Sequence, residues 1–379
     1  MTSKRVLTIF GTRPEAIKMA PVINELKRYS NIDAKVCITA QHREMLDQVL
    51  NIFQITPDVD LNLMIPNQSL AEISAAIFTN LDQVLTDLMP DWILVQGDTT
   101  TVMAASLLGY YHRIKVGHIE AGLRTGDKWQ PFPEEVNRKV ASAVADFHFA
   151  PTEWSRWNLL NEGIPDSIIR VTGNPVIDAL HYVAKMPASK EVLDVFDQIG
   201  LTTDAEEPDQ RMILVTAHRR ENFGQPLENI CKALRGLVDS YGSALRIVYS
   251  VHLNPNVHEP VYRNLEGLPN IILLPPLDYQ PLVHLMKRAS IVLTDSGGLQ
   301  EEAPDLGIPV LVLRAVTERP EGVEAGTVKL VGTDTGEIIR ETRRLLDDPS
   351  AYRKMARAIN PYGDGHAAER IVETLQAVE

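Results

Sequence analysis

"RVLTIFGTRPEAIKMAP" (residues 5–21) passes from an uninterrupted apolar run through a glycine into a stretch opened by proline. A strand apolar on both faces belongs in a parallel sheet covered by helices on both sides. Gly11 allows the tight turn, Pro14 suits a first helical turn, and Arg13 and Lys18 bring positive charge near the helix start, where a phosphate can be held. The bland alternative pairs Arg13 with Glu15 and leaves Lys18 in solvent. The stretch is neither a G-x-x-x-x-G-K-[ST] loop nor a G-x-G-x-x-G fingerprint, which argues against a P-loop ATPase and a dinucleotide-dependent oxidoreductase.

The same rhythm recurs at "AKVCITA" (34–40), "DWILVQG" (91–97), "IKVGHIE" (114–120), "FHFAP" (147–151) and "IIRVTG" (168–173). It restarts at "RMILVTAH" (211–218) and continues with "LRIVYSVH" (245–252), "NIILLPP" (270–276), "ASIVLTD" (289–295) and "PVLVLR" (309–314). Two Rossmann-like, doubly wound α/β domains are expected, over residues 1–184 and 211–364, with the carboxyl ends of their sheets facing a cleft. The intervening stretch 185–210 is rich in acids, proline and turn residues and reads as a linker. A final helix is expected from about residue 365, packed back on the first domain, with Ile371, Val372 and Leu375 on its apolar face.

At 379 residues the chain suits two domains, and its formal net charge of −13 argues against a general nucleic-acid or anionic-membrane surface. An anionic ligand must therefore be held by local groups. Cys37 and Cys231, the only two cysteines, form no C-x-x-C or Cys/His cluster, so neither a disulfide framework nor a zinc site is expected. With only a short apolar run near the start, no secretion signal or membrane span is read, and a cytoplasmic location is expected.

In open α/β sheets ligands bind beyond the carboxyl ends of strands, which makes the residues after each run the informative ones. Asp98 follows "DWILVQG", with helix capping as its bland role. Glu120 follows "IKVGHI" and is either the ion-pair partner of Arg124 or a proton-handling carboxylate. Glu134 and Glu135 open the helix after "WQPFP"; neighbouring helical residues point about 100° apart, so one of them faces a given ligand, and Glu134 is preferred. In the second domain His218 with Arg219 and Arg220 suits a diphosphate, and His252 lies at the next strand end. The "SGG" of Ser296, Gly297 and Gly298 offers backbone N–H groups to phosphate oxygens, with Glu302 placed to reach a sugar hydroxyl.

With "GTRPEAIKMAP", "GDTTT", "HIEAGLRTGD", "PFPEEVNR", "VTAHRREN", "TDSGGLQEEAP", "TERPEG" and "NPYGDG" in order, the chain closely resembles the non-hydrolysing UDP-N-acetylglucosamine 2-epimerases from about residue 5 to 370. The resemblance implies a two-domain GT-B fold, a homodimer, and interconversion of UDP-GlcNAc and UDP-ManNAc without a metal or nicotinamide cofactor, supplying ManNAc for surface polysaccharides. UDP is eliminated across C1–C2 to give bound 2-acetamidoglucal and is then added back on the other face. Position by position, Asp98, Glu120 and Glu134 match the catalytic carboxylates and His218 the histidine at the diphosphate. Arg13 and Lys18 match the first domain's basic pair, and Ser296, Gly297 and Glu302 match phosphate and ribose contacts. Proton removal at C2, which no carbonyl flanks, needs carboxylates near C2 and cations on the departing diphosphate.

Many bacterial members of that family are activated by UDP-GlcNAc in a second pocket, lined in part by residues matching Arg219 and His252. Gln41 is kept here, but Glu44 and Asn67 stand where a second glutamine and an arginine are common. That exchange weakens diphosphate binding, so altered or absent activation is expected. The rival readings are a hydrolysing epimerase releasing ManNAc and UDP, a GT-B glycosyltransferase using UDP-GlcNAc, and a catalytically silent nucleotide-sugar sensor. Neither a sensor nor an acceptor site requires three acids around one sugar ring.

Overall fold

A computed structural model describes residues 3–39, 43–65, 68–201 and 210–378. The chain divides into two compact units, Met1–His181 with Tyr362–Glu379, and Tyr182–Pro361. The first holds strands β1 (Lys4–Phe10), β2 (Ile32–Ile38), β3 (Val59–Asp60), β4 (Trp92–Gln96), β5 (Lys115–Ile119), β6 (Phe147–Ala150) and β7 (Ile169–Val171). All pair in parallel, in the order β3-β2-β1-β4-β5-β6-β7. The second unit repeats the plan with β8 (Arg211–Thr216), β9 (Leu245–Ser250), β10 (Ile271–Leu274), β11 (Ile291–Thr294), β12 (Val310–Val312) and β13 (Val328–Leu330), ordered β10-β9-β8-β11-β12-β13.

The central strands are buried on both faces, as their unbroken apolar runs require: Val6, Leu7, Ile9 and Phe10 of β1, and Met212 through Val215 of β8, are fully shielded. In each sheet the strand order reverses between the first and fourth strands, β1 and β4 in one unit and β8 and β11 in the other. A ligand site is expected beyond their carboxyl ends. The short edge strands β3 and β13 carry no apolar run that marks them in the sequence.

The stretch read as a linker is not structureless. Lys190–Ile199 is an α-helix, capped by Ser189, whose hydroxyl accepts from the Val192 N–H, and ended by Gly200 in the left-handed conformation. Its buried Val192, Phe196 and Ile199 recur at helical spacing, and it packs on the helix Tyr279–Arg288. Gln280 Nε2 donates to the Pro187 carbonyl at 3.0 Å and Lys287 Nζ to that of Ala184 at 2.7 Å, so this stretch belongs to the second unit.

The C-terminal helix Ala367–Ala377 buries Ile371, Val372 and Leu375 and packs on the helix Arg13–Leu26 of the first unit. On the way, the Tyr362 carbonyl accepts the Asn174 N–H at 2.7 Å. Gly173 and Gly363 both have positive φ, and a Cβ on Gly173 would lie 3.1 Å from the Gly363 Cα, so side chains here would force the two backbones apart. Among the described residues no helix is long and apolar enough to cross a membrane.

Candidate active site

In the first unit, the turn after β1 is built around Glu15. The Thr12 hydroxyl accepts from the Glu15 N–H while Glu15 Oε2 accepts from the N–H groups of Thr12 (2.7 Å) and Gly11 (3.0 Å), a reciprocal cap. Glu15 Oε1 also accepts from the Thr99 hydroxyl at 2.6 Å, which ties this turn to the one after β4. Burial raises the Glu15 carboxyl above its ordinary range despite the hydrogen bonds it accepts. Glu15 is thus committed to the cap.

Glu120 is held by donors from the first helix, from β4 and from residue 174. Lys18 Nζ donates to Oε1 at 2.5 Å, Asn174 Nδ2 to Oε1 at 2.8 Å, and Gln96 Nε2 to Oε2 at 2.5 Å. Lys18 is therefore not solvated: its side chain is 12% exposed and that of Glu120 is 5% exposed. Nor is Arg124 the partner of Glu120. Its guanidinium makes a bidentate pair with Glu162 at 2.9 and 2.7 Å and donates to the Ser142 hydroxyl. Glu120 has φ +63°, a left-handed conformation that costs a non-glycine residue about 1–3 kcal/mol and is found where a side chain must be aimed. Two residues on, Gly122 is obligatory, since a Cβ there would lie 2.2 Å from the Ser155 carbonyl oxygen.

Asp98 does not cap a helix. Thr99 does, accepting from the Val102 N–H, while Asp98 Oδ2 receives Arg138 Nη2 at 2.5 Å. Glu134 is the first residue of the helix Glu134–Val144, as expected, and it is half-buried. Its neighbour Glu135 is fully buried, accepting from the Thr125 and Gly126 N–H groups and from Arg138, which commits Glu135 to holding the turn. Arg138 closes the motif "PFPEEVNR" without having been singled out in it, and Gln96 and Asn174 stand outside the quoted motifs; parallel pairing of Gln96 with Ile119 sets the Gln96 amide beside the start of the Glu120 turn.

Below this layer His118 and His148 face each other across β5 and β6. His118 Nε2 donates to the Gly97 carbonyl at 2.8 Å, so its proton is on Nε2. Burial pushes His118 down to about 4 and His148 to about 3, from an ordinary 6.5. Both rings are neutral at pH 7. The unfolded chain binds their protons below pH ~6.5 and the folded chain does not, so stability must fall as pH drops from ~6.5 towards 4, by up to ~1.4 kcal/mol per pH unit for each ring. Calorimetric midpoints between pH 7 and 4.5 should decline less steeply for His148→Leu than for the wild type. Parallel curves would exclude His148 as a source of the decline.

In the second unit the switch point is closed by Asp295. This fully buried carboxylate accepts at Oδ2 from the His218 N–H (2.8 Å), the Arg219 N–H (2.8 Å) and Asn222 Nδ2 (2.9 Å), linking the ends of β8 and β11. Its Oδ1 lies 3.5 Å from His218 Nδ1. Burial lowers His218 below the ordinary histidine range, with Asp295 opposing and Arg219 and His252 reinforcing, which favours a neutral ring. His252 stacks on His218, centroids 5.4 Å apart and planes 15° from parallel, so it adjoins the expected diphosphate histidine. Gln41 and Asn67, offered with it as second-pocket residues, lie outside the described residues, as does the side chain of Glu44.

Ser296 precedes the helix Gly297–Asp305 without capping it by its side chain, so no hydroxyl competes for the first-turn N–H groups. Gly297 is needed for an unexpected reason: a Cβ there would lie 2.5 Å from Arg319 Nη1. The glycine admits a guanidinium to the helix start. Arg319 in turn donates to Glu301 Oε1 at 2.5 Å and to Glu318 Oε1 at 2.7 Å. Burial alone would raise the Glu318 carboxyl, but Arg319, Arg314 and Arg219 outweigh it and hold the group far below the usual carboxylate range. Glu302 is buried and accepts from the Tyr279 hydroxyl at 2.7 Å, which fixes its carboxylate. Among the described residues no cluster of three or more His, Cys, Asp or Glu side chains could hold a metal ion.

One doubly wound unit ending in acids and another ending in an uncapped Ser-Gly-Gly turn beside His-Arg define a nucleotide-sugar enzyme of the two-domain GT-B class. The chain belongs to the UDP-N-acetylglucosamine 2-epimerase family, which it matches over residues 24–376. It is 55% identical over 372 residues to the UDP-N-acetylglucosamine 2-epimerase of Escherichia coli (strain K12), 98% of each chain. To that of Bacillus subtilis (strain 168) it is 52% identical, over 99% of this chain and 96% of the relative. The solved UDP-GlcNAc 2-epimerase of Neisseria meningitidis bound to UDP-GlcNAc superposes with a TM-score of 0.91 at 52% identity, covering 99% of this chain and 100% of that one. The Methanocaldococcus jannaschii enzyme, in complex with UDP-GlcNAc and UDP, does so with 0.82 at 32% identity, again over 99% and 100%.

Proposed function

We propose that this protein inverts C2 of UDP-GlcNAc reversibly, giving UDP-ManNAc. A carboxylate takes the C2 proton, the C1–C2 double bond forms, and the C1–O bond breaks with its electron pair leaving on UDP. The bound 2-acetamidoglucal then takes a proton at C2 from the opposite face as UDP returns to C1. The observation that carries this reading is the carboxylate set at the first sheet's switch point: Glu120 aimed by a strained backbone and gripped by Lys18, Gln96 and Asn174, with Asp98 on the neighbouring turn. Asp98, Glu120 and Glu134 supply the proton chemistry. The departing diphosphate is met by His218, Arg219, the Ser296 hydroxyl and the N–H groups of Gly297 and Gly298, with Glu302 on the ribose and Arg13 adding positive charge. The reaction read here uses neither a metal nor a nicotinamide. A cytoplasmic homodimer feeding surface-polysaccharide synthesis completes the reading.

Incubation with UDP-GlcNAc in D₂O, followed by proton NMR, tests it. Deuterium is expected at C2 of both UDP-GlcNAc and UDP-ManNAc. An absence of exchange would refute the proposal, and accumulation of free ManNAc with UDP would turn the reading to hydrolysis.

A further inference from the structure

Inversion at C2 takes a proton from one face of the carbon and returns one to the other. Two carboxyl groups on different chain segments must therefore keep a fixed spacing, since misplacement by an ångström is costly. Asp98 lies on the turn after β4, whereas Glu134 begins a helix some distance along the chain. What joins these segments is Arg138, whose side chain is 7% exposed. Nη2 donates to Asp98 Oδ2 at 2.5 Å and Nη1 to Glu135 Oε2 at 3.0 Å. Glu135 accepts from the N–H groups of Thr125 and Gly126, on the turn after β5, and Asn137 Nδ2 donates to the Asp98 carbonyl at 2.9 Å. One guanidinium thus gathers the turns after β4 and β5 and the first turn of the Glu134 helix.

The clamp is one-sided. Asp98 gives Oδ2 to Arg138, while its Oδ1 makes no hydrogen bond among the described residues and the side chain stays 26% exposed. Glu120, in contrast, accepts hydrogen bonds at both oxygens. We propose that Arg138 is a positioning residue for the epimerisation: by fixing Oδ2 it presents Asp98 Oδ1 to the C2 proton and sets the spacing from Asp98 to Glu134. This rests on the epimerase reading above. Lysine cannot replace it, because an ammonium is a point charge on a flexible stem and lacks the planar fork that reaches two carboxylates at once.

The test compares full-length R138Q, R138K, D98N and the D98N/R138Q double variant for kcat, KM, calorimetric UDP binding and C2 deuterium exchange. R138Q is expected to lower kcat and exchange by roughly 10²-fold, with KM and the UDP dissociation constant within about twofold of the wild type. R138K should stay within about threefold of R138Q, and the double variant should be no slower than the slower single one, because the two residues act as a unit. Recovery of turnover in R138K, or losses that multiply in the double variant, would overturn the proposal. Should R138Q fail to fold, the folded R138K decides alone: wild-type turnover sinks the idea. Wild-type protein that exchanges no deuterium at C2 would instead count against the epimerase reading itself.

Discussion

Replacement of Glu120 by glutamine is expected to cut turnover by roughly 10²-fold or more while the protein keeps its fold. Glutamine has nearly the same shape, so the φ of +63° and the packing around the turn can be retained. What it removes is the charge, and with it the ability to exchange a proton. The new amide also points N–H groups at Lys18, Gln96 or Asn174, which are all donors, and strips a buried ammonium of its counter-charge. Breaking one side of such a pair costs about 3–5 kcal/mol, so the thermal midpoint should fall along with kcat. Loss of C2 deuterium exchange in parallel with turnover would tie the defect to the proton step. Near-normal turnover in a folded variant would reduce Glu120 to a structural partner of Lys18 and leave the chemistry to Asp98 and Glu134.

Asp295→Ala should give the largest loss of stability in the second unit. The substitution leaves two backbone N–H groups, those of His218 and Arg219, and the Asn222 amide without their buried acceptor. Each buried donor left unsatisfied costs about 1–3 kcal/mol, so a loss of roughly 3–5 kcal/mol is expected, or on the order of 10 °C in the midpoint of a unit this size. Because the same bonds set the turn that carries His218, UDP affinity should fall with it. Asp295→Asn keeps one carbonyl acceptor and should lose less on both counts. A midpoint within a degree or two of the wild type in scanning calorimetry would contradict the role given to Asp295.

The parallel sheets were legible because strands buried on both faces leave unbroken apolar runs, and eleven such runs correspond to strands of the two units. The acids and basic groups after the strands were legible for the same topological reason, since the carboxyl ends of the runs mark where such groups stand. The helix Lys190–Ile199 was missed although its apolar positions, serine cap and terminal glycine are present, because the acidic, proline-bearing sequence around it reads as loop. Partner choice was harder still. Glu120 has Arg124 four residues away in the chain, but its actual partners come from the first helix, the adjoining strand and residue 174, an association that lateral strand order creates and local sequence does not. The Gly297 requirement was likewise assigned to phosphate approach alone, whereas Arg319, more than twenty positions on, fills the space.

Asn174, a donor to Glu120, is anchored through its own backbone N–H to the carbonyl of Tyr362, the first residue of the segment that returns to the first unit. The proton-handling half of the enzyme is therefore steadied by a stretch of chain that lies beyond the whole of the second unit in sequence. A substitution that displaces the backbone at Tyr362 would reach Glu120 through Asn174, without touching any residue that meets the sugar.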